Sequence, residues 1–222
     1  MSNFNNIYHS ILTEGRIPSI FKKATPEELA ERAVQYEKMK IQKFLERNDV
    51  KKNWDGSYDV DGDVDFSNWK TMTRLPIRFG EVGGWFDCSG CTSLTTLEGV
   101  PNTVDGNFCC SGCTSITSLE GAPNTVGGMF DCYHCLSLTT LEGAPNTVGG
   151  WFDCSGCTSI TSLEGAPNTV GGYFSCSYCT SLTSLEGVPN TVGSDFYCRN
   201  TGRKFTIEEV RNHCKVKGDI YV

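Results

Sequence analysis

Residues 148–169 read VGGWFDCSGCTSITSLEGAPNT, and five stretches of the chain are nearly identical to one another in this pattern. The opening Val148-Gly149-Gly150 recurs as Val82-Gly83-Gly84, Val104-Asp105-Gly106, Val126-Gly127-Gly128, Val170-Gly171-Gly172 and Val192-Gly193-Ser194, always in steps of 22 residues. One step further back lies Val60-Asp61-Gly62, a diverged first copy. A fixed period of this length marks a solenoid, whose units stack on their neighbours and whose terminal units drift as caps.

Inside a unit, apolar residues occupy positions 1, 5, 7, 10, 13 and 16, as in Val148, Phe152, Cys154, Cys157, Ile160 and Leu163. The first three alternate, as in a strand with one buried face. The later ones recur every third residue, as in a tight turn, and Gly165 and Pro167 bend the chain toward the next strand. No stretch within the unit is long enough for a regular α-helix. One coil cannot bury its own apolar edge, so the coils stack, and seven parallel coils about 4.8 Å apart make a rod roughly 30 Å long. The pattern Phe-x-Cys-x-x-Cys resembles the strand portion of the leucine-rich repeat, L-x-L-x-x-N/C. The fuller string Leu-Glu-Gly-x-Pro-x-x-Val-Gly-Gly-x-Phe-x-Cys is similar to a leucine-rich-repeat-like family common in tailed-phage genomes. The resemblance implies a leucine-rich-repeat-like parallel β-sheet of about seven coils over roughly three-quarters of the chain. It implies no general biochemical activity.

Four segments follow: a helical segment at 1–52, a capping coil at 53–81, the repeats at 82–203 and a C-terminal cap at 204–222. Thr25-Pro26-Glu27-Glu28 is a helix start, with Thr25 as N-cap, Pro26 in the first turn and Glu28 closing a capping box. The helix is expected to run to Arg47, to carry Leu29, Ala33, Val34, Tyr36, Ile41, Phe44 and Leu45 on a broad apolar face, and to cover the open end of the solenoid. Thr206-Ile207-Glu208-Glu209 is a second capping box, opening a short helix to about Cys214, after which Ile220 and Val222 alternate like a final strand. Asp59, Asp61, Asp63 and Asp65 alternate, but Gly62 in their midst breaks an EF-hand pattern; Val60, Val64 and Phe66 are expected inward and the aspartates outward.

The 222 residues include 13 cysteines, eleven of them in two columns. Cys88, Cys110, Cys132, Cys154, Cys176 and Cys198 hold position 7; Cys91, Cys113, Cys135, Cys157 and Cys179 hold position 10. Every pair sits where the repeat needs a small core residue, and five pairs do not divide into four-thiolate sites. Packed free thiols are therefore expected, with no metal and no cofactor. Met1–Ser10 lacks the basic and apolar regions of a secretory signal, and no apolar run approaches the roughly 20 residues of a membrane span, so a cytoplasmic location is expected.

The formal charge is −7, against a general nucleic-acid binder. Residues 82–191 hold nine carboxylates and no Lys or Arg, so the flanks carry +2 and the expected partner is basic. The columns Glu98, Glu120, Glu142, Glu164, Glu186 and Asn102, Asn124, Asn146, Asn168, Asn190 are expected to serve the scaffold. Variation concentrates at positions 4, 6, 8 and 9, which are expected on one outward sheet face. The candidate partner-binding residues there are Trp85, Asp87, Met129, Asp131, Tyr133, His134, Trp151, Asp153, Tyr173 and Tyr178; Trp and Tyr are common interface anchors.

Three functions fit this pattern. The first is a non-enzymatic module docking a protein on the Trp85–Trp151–Tyr173 face; the phage resemblance implies a host or host-defence factor. The second is an acidic mimic of nucleic acid, using the Glu column and Asp59–Asp65. The third is catalysis by His134 beside Cys132 and Cys135, the only set that resembles a nucleophile and base. Binding to protein is the expected activity, with no catalytic residue, no membrane and no direct nucleic-acid contact. Self-association through the aromatic face, as a homodimer, is an alternative use of the same surface.

Overall fold

The computed structural model describes residues 25–222, and the chain divides into two compact units, Met1–Asp49 and Val50–Val222. In the first, α1 (Pro26–Arg47) begins where the capping box puts it. The Thr25 amide donates to Glu28 Oε2 at 2.8 Å and the Glu28 amide to Thr25 Oγ1 at 3.3 Å. Of its expected apolar face, Leu29, Ile41, Phe44 and Leu45 are half-buried, whereas Val34 and Tyr36 are exposed.

The second unit is a parallel β-solenoid of about seven turns. Each coil contributes two strands of about two residues, not one longer strand. Unit positions 22 and 1, such as Thr147–Val148 (β10), form the first; positions 5 and 6, such as Phe152–Asp153 (β11), form the second. The Gly-Gly pair between them turns the corner, and the space there admits nothing larger. A Cβ on Gly149 would lie 2.0 Å from the Gly127 carbonyl oxygen of the preceding coil. Stacking then yields two sheets. One contains nine strands, from β1 (Val50–Lys52) and β2 (Tyr58–Val60) to β16 (Lys215–Val216); the other contains eight, from β3 (Val64–Asp65) to β17 (Ile220–Tyr221). Register is kept coil after coil, Phe130 opposite Phe152 and Phe152 opposite Phe174.

The core follows the repeat. Phe86, Phe108, Phe130, Phe152, Phe174 and Phe196 are fully buried and pack ring on ring at 5.0–5.7 Å. The thirteen cysteines are free thiols, and those of the two columns are buried. Their selection has a hydrogen-bond reason: each position-10 thiol donates to the position-7 carbonyl 25 residues earlier, a residue of the preceding coil. Cys113 Sγ reaches Cys88 O at 3.1 Å, Cys135 reaches Cys110 at 3.2 Å, and Cys157 and Cys179 repeat the bond. Cysteine combines apolar volume with a weak donor of the right reach.

At the C-terminus α2 (Ile207–His213), capped by Thr206 and Glu209, buries Val210, and β16 and β17 pair with the last repeat strands. At the N-terminus β1 pairs antiparallel with β2, closing the outer edge of the first sheet. The unit boundary at Asp49 therefore places Val50–Lys52 with the solenoid, not with the helical segment. Val60, Val64 and Phe66 are inward as expected, but Asp59 and Asp63 also bind the scaffold: their carboxylates accept the Glu81 and Trp85 amides at 3.0 and 2.9 Å.

Candidate functional site on the second sheet

The outward residues occupy three settings rather than one sheet face. Position 4 stands at the corner after Gly-Gly, position 6 points out from the second sheet, and positions 8 and 9 lie in the turn beyond it. The position-6 aspartates build that turn. Asp87, Asp131 and Asp153 each accept the amide two residues on, Ser89, Tyr133 and Ser155, at 2.7–2.8 Å.

The aromatic residues form a ribbon. Trp151 stacks on Tyr173 at 5.2 Å, Tyr173 meets Tyr197 edge-on at 5.7 Å, and Tyr197 stacks on Tyr221 at 4.8 Å. The Arg199 guanidinium lies 4.9 Å from the Tyr221 ring centre. Of the expected Trp85–Trp151–Tyr173 face, the structure joins Trp151 and Tyr173 but not Trp85. Trp85 is three coils before Trp151, with Asn107 and half-buried Met129 between them in the column. Tyr197 and Tyr221 were not among the candidates. Tyr197 shares position 6 with the aspartates, while Tyr221 is hidden from a 22-residue count because Phe196 pairs with Ile220, 24 residues on.

Position 9 runs in the left-handed region throughout its column: Asn68, Gly90, Gly112, His134, Gly156, Tyr178 and Asn200 all have positive φ. His134 and Tyr178 hold φ 61° where neighbouring coils use glycine. A bulky side chain in this conformation costs roughly 1–2 kcal/mol, and strain of this kind clusters at functional surfaces. Both are exposed, and the His134 ring stacks on exposed Tyr133 at 5.2 Å. His134 lies against Gly156 of the next coil, where a Cβ would stand 2.9 Å from Nδ1.

The acidic column runs beside this surface. Burial pushes the Asp131 carboxyl up to about 6, reinforced by the charges of Asp153 and Asp87. Cys109, between Asp87 and Asp131, has its thiol pushed up to about 12 by burial and by those two carboxylates. The ion pairs among the described residues lie elsewhere: Lys51–Asp59, Arg78–Asp55 and Arg203–Glu209. The Glu column is exposed, its backbone amides held by the Thr or Ser two residues before, as in Thr96 to Glu98 at 3.1 Å. In the Asn column, Asn168 donates to Asn146 and Asn190 to Asn168.

The structure separates His134 from the thiols beside it in sequence. Cys132 and Cys135 are in the core, Cys135 Sγ bonded to the Cys110 carbonyl, and the burial of Cys132 holds its thiol well above the ordinary range. A groove of about 780 Å³ lies between the last turns and α2, lined by Glu186, Asn190, Arg203, Glu209 and His213. Arg203 is engaged there, by Glu209 at 2.9 Å and by the Thr183 carbonyl at 2.8 Å. Trp54, at the tip of the β1–β2 hairpin, is 100% exposed and was not a sequence candidate. The signal available for it was its place beside Asp55-Gly56, a turn dipeptide. Among the described residues no helix is long and apolar enough to cross a membrane. The chain matches no known protein family, no curated protein and no solved structure.

Proposed function

We propose that this protein is a non-enzymatic binding module that docks a protein partner along the outer side of its second sheet. The observation that carries this reading is the pairing of an aromatic ribbon, exposed at Trp151 and half-buried from Tyr173 to Tyr221, with His134 and Tyr178 held outward at a conformational cost. Aromatic anchors of this kind carry much of the energy at protein interfaces. The acidic column, with no Lys or Arg from 82 to 191, favours a partner with basic residues. The resemblance to phage leucine-rich-repeat-like chains adds a host factor met in the cytoplasm as the candidate class.

The five exposed glutamates support a second reading, mimicry of nucleic acid, and one experiment separates the two. A photo-crosslinking amino acid is placed at Tyr178 in one variant and at Glu142 in another, and each is exposed to bacterial lysate. The docking reading expects one discrete adduct from Tyr178, lost in Trp151→Ala, and none from Glu142. Adducts confined to Glu142 and removed by competing DNA would replace it with mimicry.

A further inference from the structure

The two ends of the solenoid are complementary to each other. In the second sheet the amides of each coil donate forward: Val64 to the Trp85 carbonyl at 2.8 Å, Phe66 to Asp87 at 2.8 Å, and at the far end Phe196 to Asp219 at 2.8 Å. Where the first sheet meets the corner, the amides donate backward: Gly83 to the Val60 carbonyl at 2.9 Å and, at the far end, Lys217 to Val192 at 3.0 Å. The last coil therefore presents the Ile220 and Val222 amides and the Val216 and Gly218 carbonyls along its outer edge. The first coil presents the counterparts, the Asp63 and Asp65 carbonyls and the Asp61 and Gly62 amides. Among the described residues β3 and β17 each have a strand on one side only.

Charge follows the same register. Lys215 pairs with Thr191 at the end of a column that leads back through Glu81 to Asp59, and Lys217 ends the column that begins at Asp61. Laid on the first coil of a second copy, Lys215 faces Asp59 and Lys217 faces Asp61.

Among the described residues of this unit, β1 stands in the way. β1 occupies the outer edge of β2, where β16 of a second copy must sit, and its Lys51 already lies 4.0 Å from Asp59. β1 thus supplies in one chain the strand and the cation that a second copy would bring. It is short, and Lys51 and Lys52 are exposed, the usual means by which edge strands resist pairing.

We propose that the last coil of this protein is an interaction surface for the first coil of a second copy, and that β1 is the stop strand that keeps copies from adding head to tail. This surface is distinct from the aromatic ribbon. Heterologous contacts that stack one coil on the next add copies along the solenoid axis, so release of β1 leads to linear growth.

The test uses the full chain and its mass by light scattering. Lys51→Pro removes a β1 amide from the pairing, because the Asn53 amide bonded to the Ser57 carbonyl sets the next bonded pair at Lys51 and Asp59, and Val50→Gly/Lys51→Gly/Lys52→Gly loosens β1 without forbidding any backbone bond. With the far-UV circular dichroism of the wild type retained, either variant is expected to grow with concentration from 24.4 kDa to its multiples while the wild type stays single. Adding Lys215→Glu/Lys217→Glu is expected to return the mass to one chain, and a further Asp59→Lys/Asp61→Lys to restore growth. Folded variants that both remain at 24.4 kDa overturn the proposal. So does growth that the charge reversals leave unchanged, because the contact then lies elsewhere.

Discussion

Trp151 and Tyr173 lie 5.2 Å apart and only 11° from parallel, although 22 residues separate them in the chain. Trp151 and Tyr173 each cover one face of the other, while Tyr197 stands perpendicular to Tyr173, so the ribbon is not one continuous stack. The stack also contributes to folding. Tyr173→Ala is expected to lower stability by about 1–2 kcal/mol, the stack plus the buried part of the ring. Trp85→Ala, outside the ribbon, is expected to cost under about 1 kcal/mol. Urea unfolding of the two variants checks the order, and equal losses would show that the stack adds nothing.

Tyr178 is 60% exposed at φ 61°, in a column where Asn68 and Asn200 adopt the same conformation. Asparagine tolerates this region and tyrosine does not, so Tyr178→Asn is expected to stabilise the fold by about 0.5–1 kcal/mol. The same change is expected to remove the Trp151-dependent partner adduct, read by crosslinking from Tyr133. A variant both more stable and fully competent to bind would deny the strained tyrosine a role.

Cys135 Sγ is the donor to the Cys110 carbonyl at 3.2 Å. Cys135→Ala leaves the Cys110 carbonyl with only the Cys113 amide at 3.2 Å and opens a small void, expected to cost about 1–2 kcal/mol, whereas Cys135→Ser keeps a donor and is expected to cost less. Thermal unfolding decides between them; Ser as damaging as Ala would mean that volume alone matters at this site. Thiol labelling of the native protein is expected to be slow at every column cysteine and complete only on unfolding, since a reagent cannot reach a thiol buried in the core.

The Asp131 carboxyl holds its proton to about 6 in the folded chain, against about 3.9 when unfolded. The native state therefore binds more protons through this window. The favourable contribution is full below pH ~4 and is lost as the pH rises through ~6. Asp131→Asn keeps an oxygen for the Tyr133 amide and removes the titration. It is expected to be more stable than the wild type at pH 7, with the gap closing toward pH 4 in a series of urea midpoints. Parallel curves across that range would contradict the assignment.

Much of this was legible in the residues. The 22-residue step, the inward Val, Phe, Cys and Leu columns and both capping boxes follow from spacing and side-chain type, because a coil this short can bury its apolar edge only against another coil of the same shape. α1 ends at Arg47 and α2 at His213, close to where the caps and apolar spacing place them. The cysteine columns were readable as core on the same ground.

What only the tertiary structure decided is which outward residues meet. Alternation at positions 1, 5 and 7 reads as one strand, but Gly149-Gly150 approach the preceding coil so closely that the chain turns there and makes two sheets. Tyr221 joins the ribbon through a register two residues longer than the repeat, and Trp85 is left outside it by the coils between. The raised Asp131 proton affinity and the Lys51–Asp59 pair depend on neighbours brought close by coil stacking and by the β1–β2 hairpin. Local spacing sets what each coil buries; contacts across coils, which no single unit contains, set what the surface can do.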